Sequence, residues 1–296
     1  MKICSLITVY KPDIDKLKQN IEIILQYSET VYLLFNSPVI AEFRQNDRIM
    51  IIDNKTNIGL SQAVNMGINH AMNNGYKYAL LFDQDSYLIK ENFEILFSKM
   101  RNEENFQKVA CIGPSLNVYN NDIPIPNWSK NKTKIMTDGV CSVNNIITSG
   151  MLVNIGNFTD VGEFDAQYPV DFCDFLFCWK CLYKGFVVLQ STSEYIHHEI
   201  GTNNLTLFGH TIHFHRPYRN YFLVRDTLNI CLKQKETPFY IRVRFLLLLS
   251  FRMILFLFIL DDKYLRLKMY WLGFKDFLLS RRRFGSIANV LNAKNV

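Results

Sequence analysis

Short apolar runs alternate with amphipathic segments through the first hundred residues, and polar residues gather wherever an apolar run ends. Residues 3–9 read as a buried strand that stops at the breaker Tyr10-Lys11-Pro12. Asp13 can then cap a helix over Asp15–Tyr27, where Leu17, Ile21, Ile24 and Leu25 recur at helical spacing. Thr30–Phe35, Ile49–Ile52 and Tyr78–Phe82 read as further strands, and Leu60–Asn73 and Lys90–Met100 as helices. This alternation predicts an α/β domain on a mostly parallel central sheet. Ligands of such sheets bind outside the carboxyl ends of the strands. Thr8-Val9-Tyr10, Asn36-Ser37, Asp53-Asn54 and Asp83-Gln84-Asp85 all fall there.

A chain of 296 residues, 49% hydrophobic, is long enough to bury a substantial core. Its aromatic content and 20% charged fraction exclude a disordered chain. The net charge of +6 suits an anionic partner, but no dense Lys/Arg stripe crosses the first 230 residues, so nucleic acid is not expected. The seven cysteines include one Cys-x-x-Cys, Cys178 and Cys181, without a second pair at zinc-site spacing; they read as small core residues. Free thiols suit a cytoplasmic protein. The opening Met1–Val9 stretch is too short in its apolar part, and too soon interrupted, for a secretory signal.

Asp83-x-Asp85 closes an apolar strand. Two carboxylates held together repel each other unless a cation compensates. Hard ions such as Mg2+ or Mn2+ take oxygen ligands and are commonly shared with substrate phosphates. The pattern therefore points to a metal–diphosphate site. The bland alternative, a solvated turn, is weakened by the other polar clusters at neighbouring strand ends. In the middle of the chain, Tyr168–Tyr183 reads as a buried helix, and Asp171 and Asp174 sit in its apolar sequence, where unpaired carboxylates are costly.

The ordered set of motifs resembles glycosyltransferase family 2, and within it the bacterial rhamnosyltransferase-like branch. The resemblance rests on Thr8-Val9-Tyr10-x-Pro12, Asn57-x-Gly59-Leu60-x-x-Ala63-x-Asn65-x-Gly67 and Asp83-Gln84-Asp85-Ser86. It continues through Thr148-Ser149-Gly150-Met151-Leu152, Gly162-x-Phe164, Val170-Asp171 with Asp174, His198-x-x-Gly201 and Arg219-x-Tyr221-Phe222-x-x-Arg225-Asp226. It implies a GT-A fold, Rossmann-like, over about residues 1–230. It also implies that Thr8, Tyr10 and Asn36 lie near nucleobase and ribose, with Asp53 or Asn54 close by, and that Asn57–Gly67 shapes the nucleotide pocket. Asp85 would hold the metal, with His198 as a further ligand, and Asp83 would face the ribose or the metal shell. Lys180 stands six residues after Asp174, where the family carries Arg, so Asp174 is the favoured base and Asp171 the alternate; Leu176 replaces a second carboxylate of the pattern. Arg219 or Arg216 would contact the diphosphate, and His210, His213 and His215 would belong to a loop closing on substrate.

Residues 231–296 read as helices in which cations and aromatics flank apolar runs. The most apolar run, Phe245–Leu260, is shorter than the roughly 20 residues of a spanning helix and contains Arg252. This extension suits peripheral contact with the cytoplasmic face of a membrane, or a homo-oligomer interface, or packing against the catalytic domain. The reaction expected from the resemblance is inverting transfer of a sugar, rhamnose from dTDP-rhamnose or another sugar from a dTDP or UDP donor, to a growing surface glycan, with a lipid-linked acceptor a candidate. A nucleotidyltransferase, or a non-catalytic glycan- or membrane-binding subunit on the same fold, are the alternatives.

Overall fold

A computed structural model describes residues 2–86, 108–120, 123–125, 134–137, 140–197, 203–207, 210–214, 216–260 and 262–288. The first half is strand and helix in alternation: β1 (Ile3–Val9), α1 (Ile14–Ile24), β2 (Thr30–Phe35), β3 (Ile49–Asp53), α2 (Leu60–Asn73) and β4 (Tyr78–Asp83). The strands stand in the order β3-β2-β1-β4, all parallel. Their apolar runs are continuous because both faces are covered. Cys4, Leu6, Leu34 and Leu81 face Ala63, Val64 and Ile68 of α2. Ile3, Ile7, Val9, Leu33 and Leu80 face Leu17, Ile21 and Ile24 of α1. Asp13 caps α1 by accepting the Lys16 amide at 3.2 Å.

The register sets the strand ends level. Thr8 lies beside both Leu34 and Asp83, and Phe35 beside Asp53. The polar clusters read from the sequence therefore share one edge of the sheet.

The chain continues through β5 (Val109–Asn120), β6 (Ile123–Ile125), β7 (Lys134–Thr137), β8 (Val140–Ser142), β9 (Met151–Asn154), α3 (Ile155–Val161), α4 (Cys173–Tyr183) and β10 (Val187–His197). These strands extend the sheet beyond β4 in the order β9-β5-β10-β8-β7, now in mixed directions. β11 (Asn203–Leu207) and β12 (His210–Phe214) form a separate antiparallel hairpin. Cys178 and Cys181 are buried in the core, as are the other cysteines, and all are free thiols. The helix expected over Lys90–Met100 lies outside the described residues.

The helix expected from Tyr168 starts only at Cys173. Two local facts delay it. Phe172 adopts a left-handed backbone, φ +66°, which cannot continue a right-handed helix. The carbonyls of Tyr168 and Pro169 are taken by α2, accepting from Ser61 Oγ at 2.8 Å and the Leu60 amide at 2.9 Å. Asp171 therefore precedes α4, while Asp174 lies in its first turn.

Three helices follow: α5 (Arg219–Leu232), α6 (Phe239–Ile259) and α7 (Lys263–Leu278). α5 and α7 pack closely at Gly273, where an added Cβ would stand 2.6 Å from the Tyr221 carbonyl oxygen. A backbone oxygen cannot swing away as a side chain can. Gly273→Ala is expected to cost about 1–3 kcal/mol of stability in urea denaturation; an unchanged midpoint would show slack between these helices.

Candidate active site

The carboxyl end of β4 and the first turn of α4 come together around carboxylates. Asp83 ends β4, Gln84 and Asp85 follow in a turn, and the Asp85 side chain is exposed. The amide of Gly150 donates to the Leu81 carbonyl at 2.8 Å, and Ser149 Oγ bonds Ser86 Oγ, so the Thr148–Gly150 loop is fastened to the end of β4. Asp174 reaches the same place: its carboxylate accepts the Phe175 amide at 2.8 Å and is held also by the Thr148 backbone. Burial raises the Asp174 carboxyl to about 7, and the charge of Asp83 pushes in the same direction. Backbone amides pull the other way without cancelling the burial. Asp174 is thus a carboxyl that exchanges its proton near neutrality, next to a second carboxylate at the sheet edge.

Around this centre, side-chain amides fix the loops. Gln84 grips the end of β1, accepting the Tyr10 amide at 2.7 Å and donating to the Tyr10 carbonyl at 3.1 Å. Asn20 of α1 donates to the Gln84 carbonyl at 3.3 Å. Asn36 is buried and bolts β2 to the next loop: it accepts from Asn54 Nδ2 at 3.0 Å and donates to the Gly59 carbonyl at 3.3 Å. Asn57 accepts the Gly59 amide at 3.0 Å, closing an Asx turn. Gly59, φ +83°, begins α2 against Pro169, with room for no Cβ: one would stand 2.6 Å from Pro169 Cβ. Asn65 makes paired bonds with the Phe164 backbone at 2.8 and 2.9 Å. The Asn57–Gly67 segment is therefore a rigid wall running up to the residues before Asp174. Asp53, at the end of β3, is held below the usual carboxylate range by Lys55, whose ammonium lies 2.6 Å away and whose amide lies 2.9 Å away.

A family model for glycosyl transferase family 2 matches residues 36–153. That stretch is similar to a family 2 glycosyltransferase domain. The chain is 28% identical over 228 residues to the dTDP-rhamnosyl transferase RfbF of Shigella flexneri, an alignment covering 68% of this chain and 75% of that protein. Among solved structures, Staphylococcus aureus TarS 1-349 superposes with a TM-score of 0.56 at 13% identity, over 95% of this chain and 81% of the other. TarS 1-349 has also been solved with UDP-GlcNAc, at TM-score 0.56 and 12% identity over the same shares. GalNAc-T7, solved with UDP, GalNAc and Mn2+, superposes at 0.56 and 11% identity over 95% of this chain and 57% of its own. The fold is GT-A, α/β with a helical C-terminal extension.

Of the residues singled out in the sequence, the transferase brings Thr8, Tyr10, Asn36, Asp53, Asn57, Asp83, Asp85 and Asp174 to the carboxyl edge of the sheet and the loops beside it. Asp171 is engaged elsewhere, in an ion pair with Arg219 in which both side chains are a little under a third exposed. Arg216 is exposed just before α5. His210 and His213 stand on the β11–β12 hairpin; His198 and His215 lie outside the described residues. Leu176, where a second carboxylate was looked for, is buried among Tyr168, Trp179, Ile230 and Ile241.

The donor chemistry fits a hard divalent ion only in part-protein coordination. Among the described residues no three His, Cys, Asp or Glu side chains gather into a cage. The exposed Asp85 carboxylate, two residues after Asp83, would offer oxygen ligands to such an ion, and Mg2+ commonly leaves its other positions to phosphate and water.

Sequence reasoning missed the supports. Gln84 lies inside the quoted motif, yet its grip on β1 has no sequence signal. Arg225 and Arg283 form another support. Arg225, 1% exposed, pairs with Asp226 at 2.6 Å, donates to Tyr221 Oη at 3.1 Å and to the Gln167 carbonyl at 3.4 Å, and reaches the Arg283 carbonyl. Arg283 in turn donates to the Ile58 carbonyl at 3.1 Å. The turn after α7 thereby holds the loop that opens α2.

Proposed function

We propose that the chain is an inverting, metal-assisted glycosyltransferase that moves a sugar, with dTDP-rhamnose as the leading donor, to a bacterial surface glycan. The observation that carries this reading is Asp174: a carboxyl raised to about 7 at the strand edge where family 2 motifs converge. Inversion by single displacement needs a base at the acceptor hydroxyl. Asp174 takes that proton as the hydroxyl oxygen attacks the anomeric carbon; the bond from that carbon to the diphosphate oxygen breaks and the nucleoside diphosphate leaves. Asp171 is the weaker candidate because Arg219 already engages it.

Thr8, Tyr10, Asn36 and Asn57 line the nucleotide side, and Asp53 offers an ionised carboxylate to ribose hydroxyls. The rhamnosyl specificity follows the RfbF relative. The nucleotide diphosphate reading draws support from TarS, solved with UDP-GlcNAc, and from GalNAc-T7, solved with UDP. Asp85, with His198, would hold Mg2+ or Mn2+, which when bound neutralises charge on the diphosphate. Arg219 is a second cation for the diphosphate, released from Asp171 when donor binds.

The test is release of dTDP or UDP from a panel of nucleotide sugars, with and without EDTA. Turnover is expected to disappear on chelation and return with excess Mn2+. Activity undiminished by EDTA would overturn the metal role, and pyrophosphate release from a nucleoside triphosphate would overturn the transferase reading itself.

A further inference from the structure

The C-terminal helices turn one face to α5 and leave the other uncovered. α7 buries Met269, Tyr270, Gly273 and Phe277, and leaves Tyr264, Leu267, Trp271, Phe274 and Leu278 exposed. These five follow the alternating three- and four-residue spacing of a coiled-coil seam. α6 buries Ile241, Leu249 and Phe256, and exposes Tyr240, Val243, Leu247, Phe251, Ile254 and Phe258 on its opposite side. Trp271 is 64% and Phe258 78% exposed, far more than large apolar groups in a finished surface. No helix among the described residues is long and apolar enough to cross a membrane.

Two occupants fit a bare apolar face, a second copy or a lipid surface, and charge decides between them. Residues 231–296 hold 13 Lys and Arg against 4 Asp and Glu, a net +9, which leaves the first 230 residues at −3. The exposed Lys268 and Lys275 flank the α7 seam at the positions that face a partner helix, and exposed Lys263 flanks it on the other side. An antiparallel copy brings Lys268 or Lys275 against its equivalents, and a parallel copy brings Lys263 against Lys268. Self-pairing along this seam is therefore disfavoured in either orientation. The same lysines, and Arg244 beside the α6 stripe, suit anionic headgroups while the aromatic rings enter the interface.

We infer that the exposed faces of α6 and α7 dock in the plane of an anionic lipid bilayer. This deepens the transferase reading and rests on it for its purpose, which is to hold the sheet edge beside a lipid-linked acceptor. The experiment is flotation of the full chain with phosphatidylcholine vesicles, or with vesicles in which phosphatidylglycerol replaces part of the phosphatidylcholine, with dTDP and UDP binding measured by thermal shift on the same samples. The chain should float with phosphatidylglycerol vesicles and not with phosphatidylcholine alone, less so as salt rises. Lys268→Gln with Lys275→Gln should lower the partition coefficient about 30-fold, and Phe258→Glu with Trp271→Glu should abolish flotation; nucleotide binding should persist in both. Nucleotide binding without flotation of the wild-type chain overturns the membrane surface. So does a dimer in light scattering that Trp271→Glu dissolves. Flotation without nucleotide binding overturns the transferase reading and leaves the surface standing.

Discussion

Asp174→Asn lowers sugar transfer by about 100- to 10,000-fold, the range a positioned general base supplies, and leaves dTDP or UDP binding in place. Asn keeps the shape and an oxygen for the Phe175 amide but cannot accept the proton. The wild-type rate carries a second signature. Burial and the Asp83 charge hold the Asp174 carboxyl near 7, so the active, ionised form grows as pH rises through that value. Turnover should climb with pH to a plateau above neutrality. Asp83→Asn removes the repelling charge and moves that limb to lower pH. The stability sign is opposite. A carboxyl whose folded pKa exceeds its unfolded value of about 3.9 binds more protons when folded, so its contribution to stability falls as pH rises from about 4 through 7. Asp174→Asn should therefore melt higher than wild type at pH 8 and close to it at pH 5. Stopped transfer with retained nucleotide binding in Asp171→Asn, together with an active Asp174→Asn, would exchange the two roles.

Arg225→Met costs about 3–5 kcal/mol of stability, the cost of stranding one member of a buried ion pair. Arg225 and Asp226 are both about 1% exposed, and Arg225 also holds Tyr221, Gln167 and the Arg283 carbonyl. Burial already raises the Asp226 carboxyl to about 7 despite the guanidinium beside it. Without Arg225 it climbs further, and below that value the proton relieves the stranded charge. Urea denaturation should show the largest loss at pH 8 and a smaller one at pH 5. Replacing both residues, Arg225→Met with Asp226→Leu, should recover much of the loss. A single variant within about 1 kcal/mol of wild type would mean that the network is not what joins the C-terminal turn to the α2 loop.

The strands and their polar ends were legible because a parallel sheet buried on both faces demands uninterrupted apolar runs, and Tyr10-Lys11-Pro12, Asn36-Ser37-Pro38 and Asp83-Gln84-Asp85 interrupt them. Asp174 was legible as a carboxylate in apolar sequence. Its neighbour Asp171 shared that apolar setting and stood as the alternate by the spacing to Lys180 alone; the left-handed Phe172 and the ion pair to Arg219 separate the two in the fold. The late start of α4 was illegible because what stops it is α2, whose Leu60 amide and Ser61 hydroxyl take two carbonyls more than a hundred residues away in sequence. The Arg281–Arg283 run belongs to the cations that flank the C-terminal apolar runs in the sequence. Arg283 reaches Ile58, a contact across 225 residues that no periodicity announces.

The most direct test is a crystal of the chain grown with dTDP or UDP and Mn2+, with anomalous diffraction at the manganese edge. An anomalous peak within coordinating distance of the Asp85 carboxylate and of the nucleotide's phosphates, with the ribose near Asp53 and the sugar side open to Asp174, is the result this account requires. A nucleotide bound away from the ends of β1–β4, or manganese nowhere near Asp85, would contradict it.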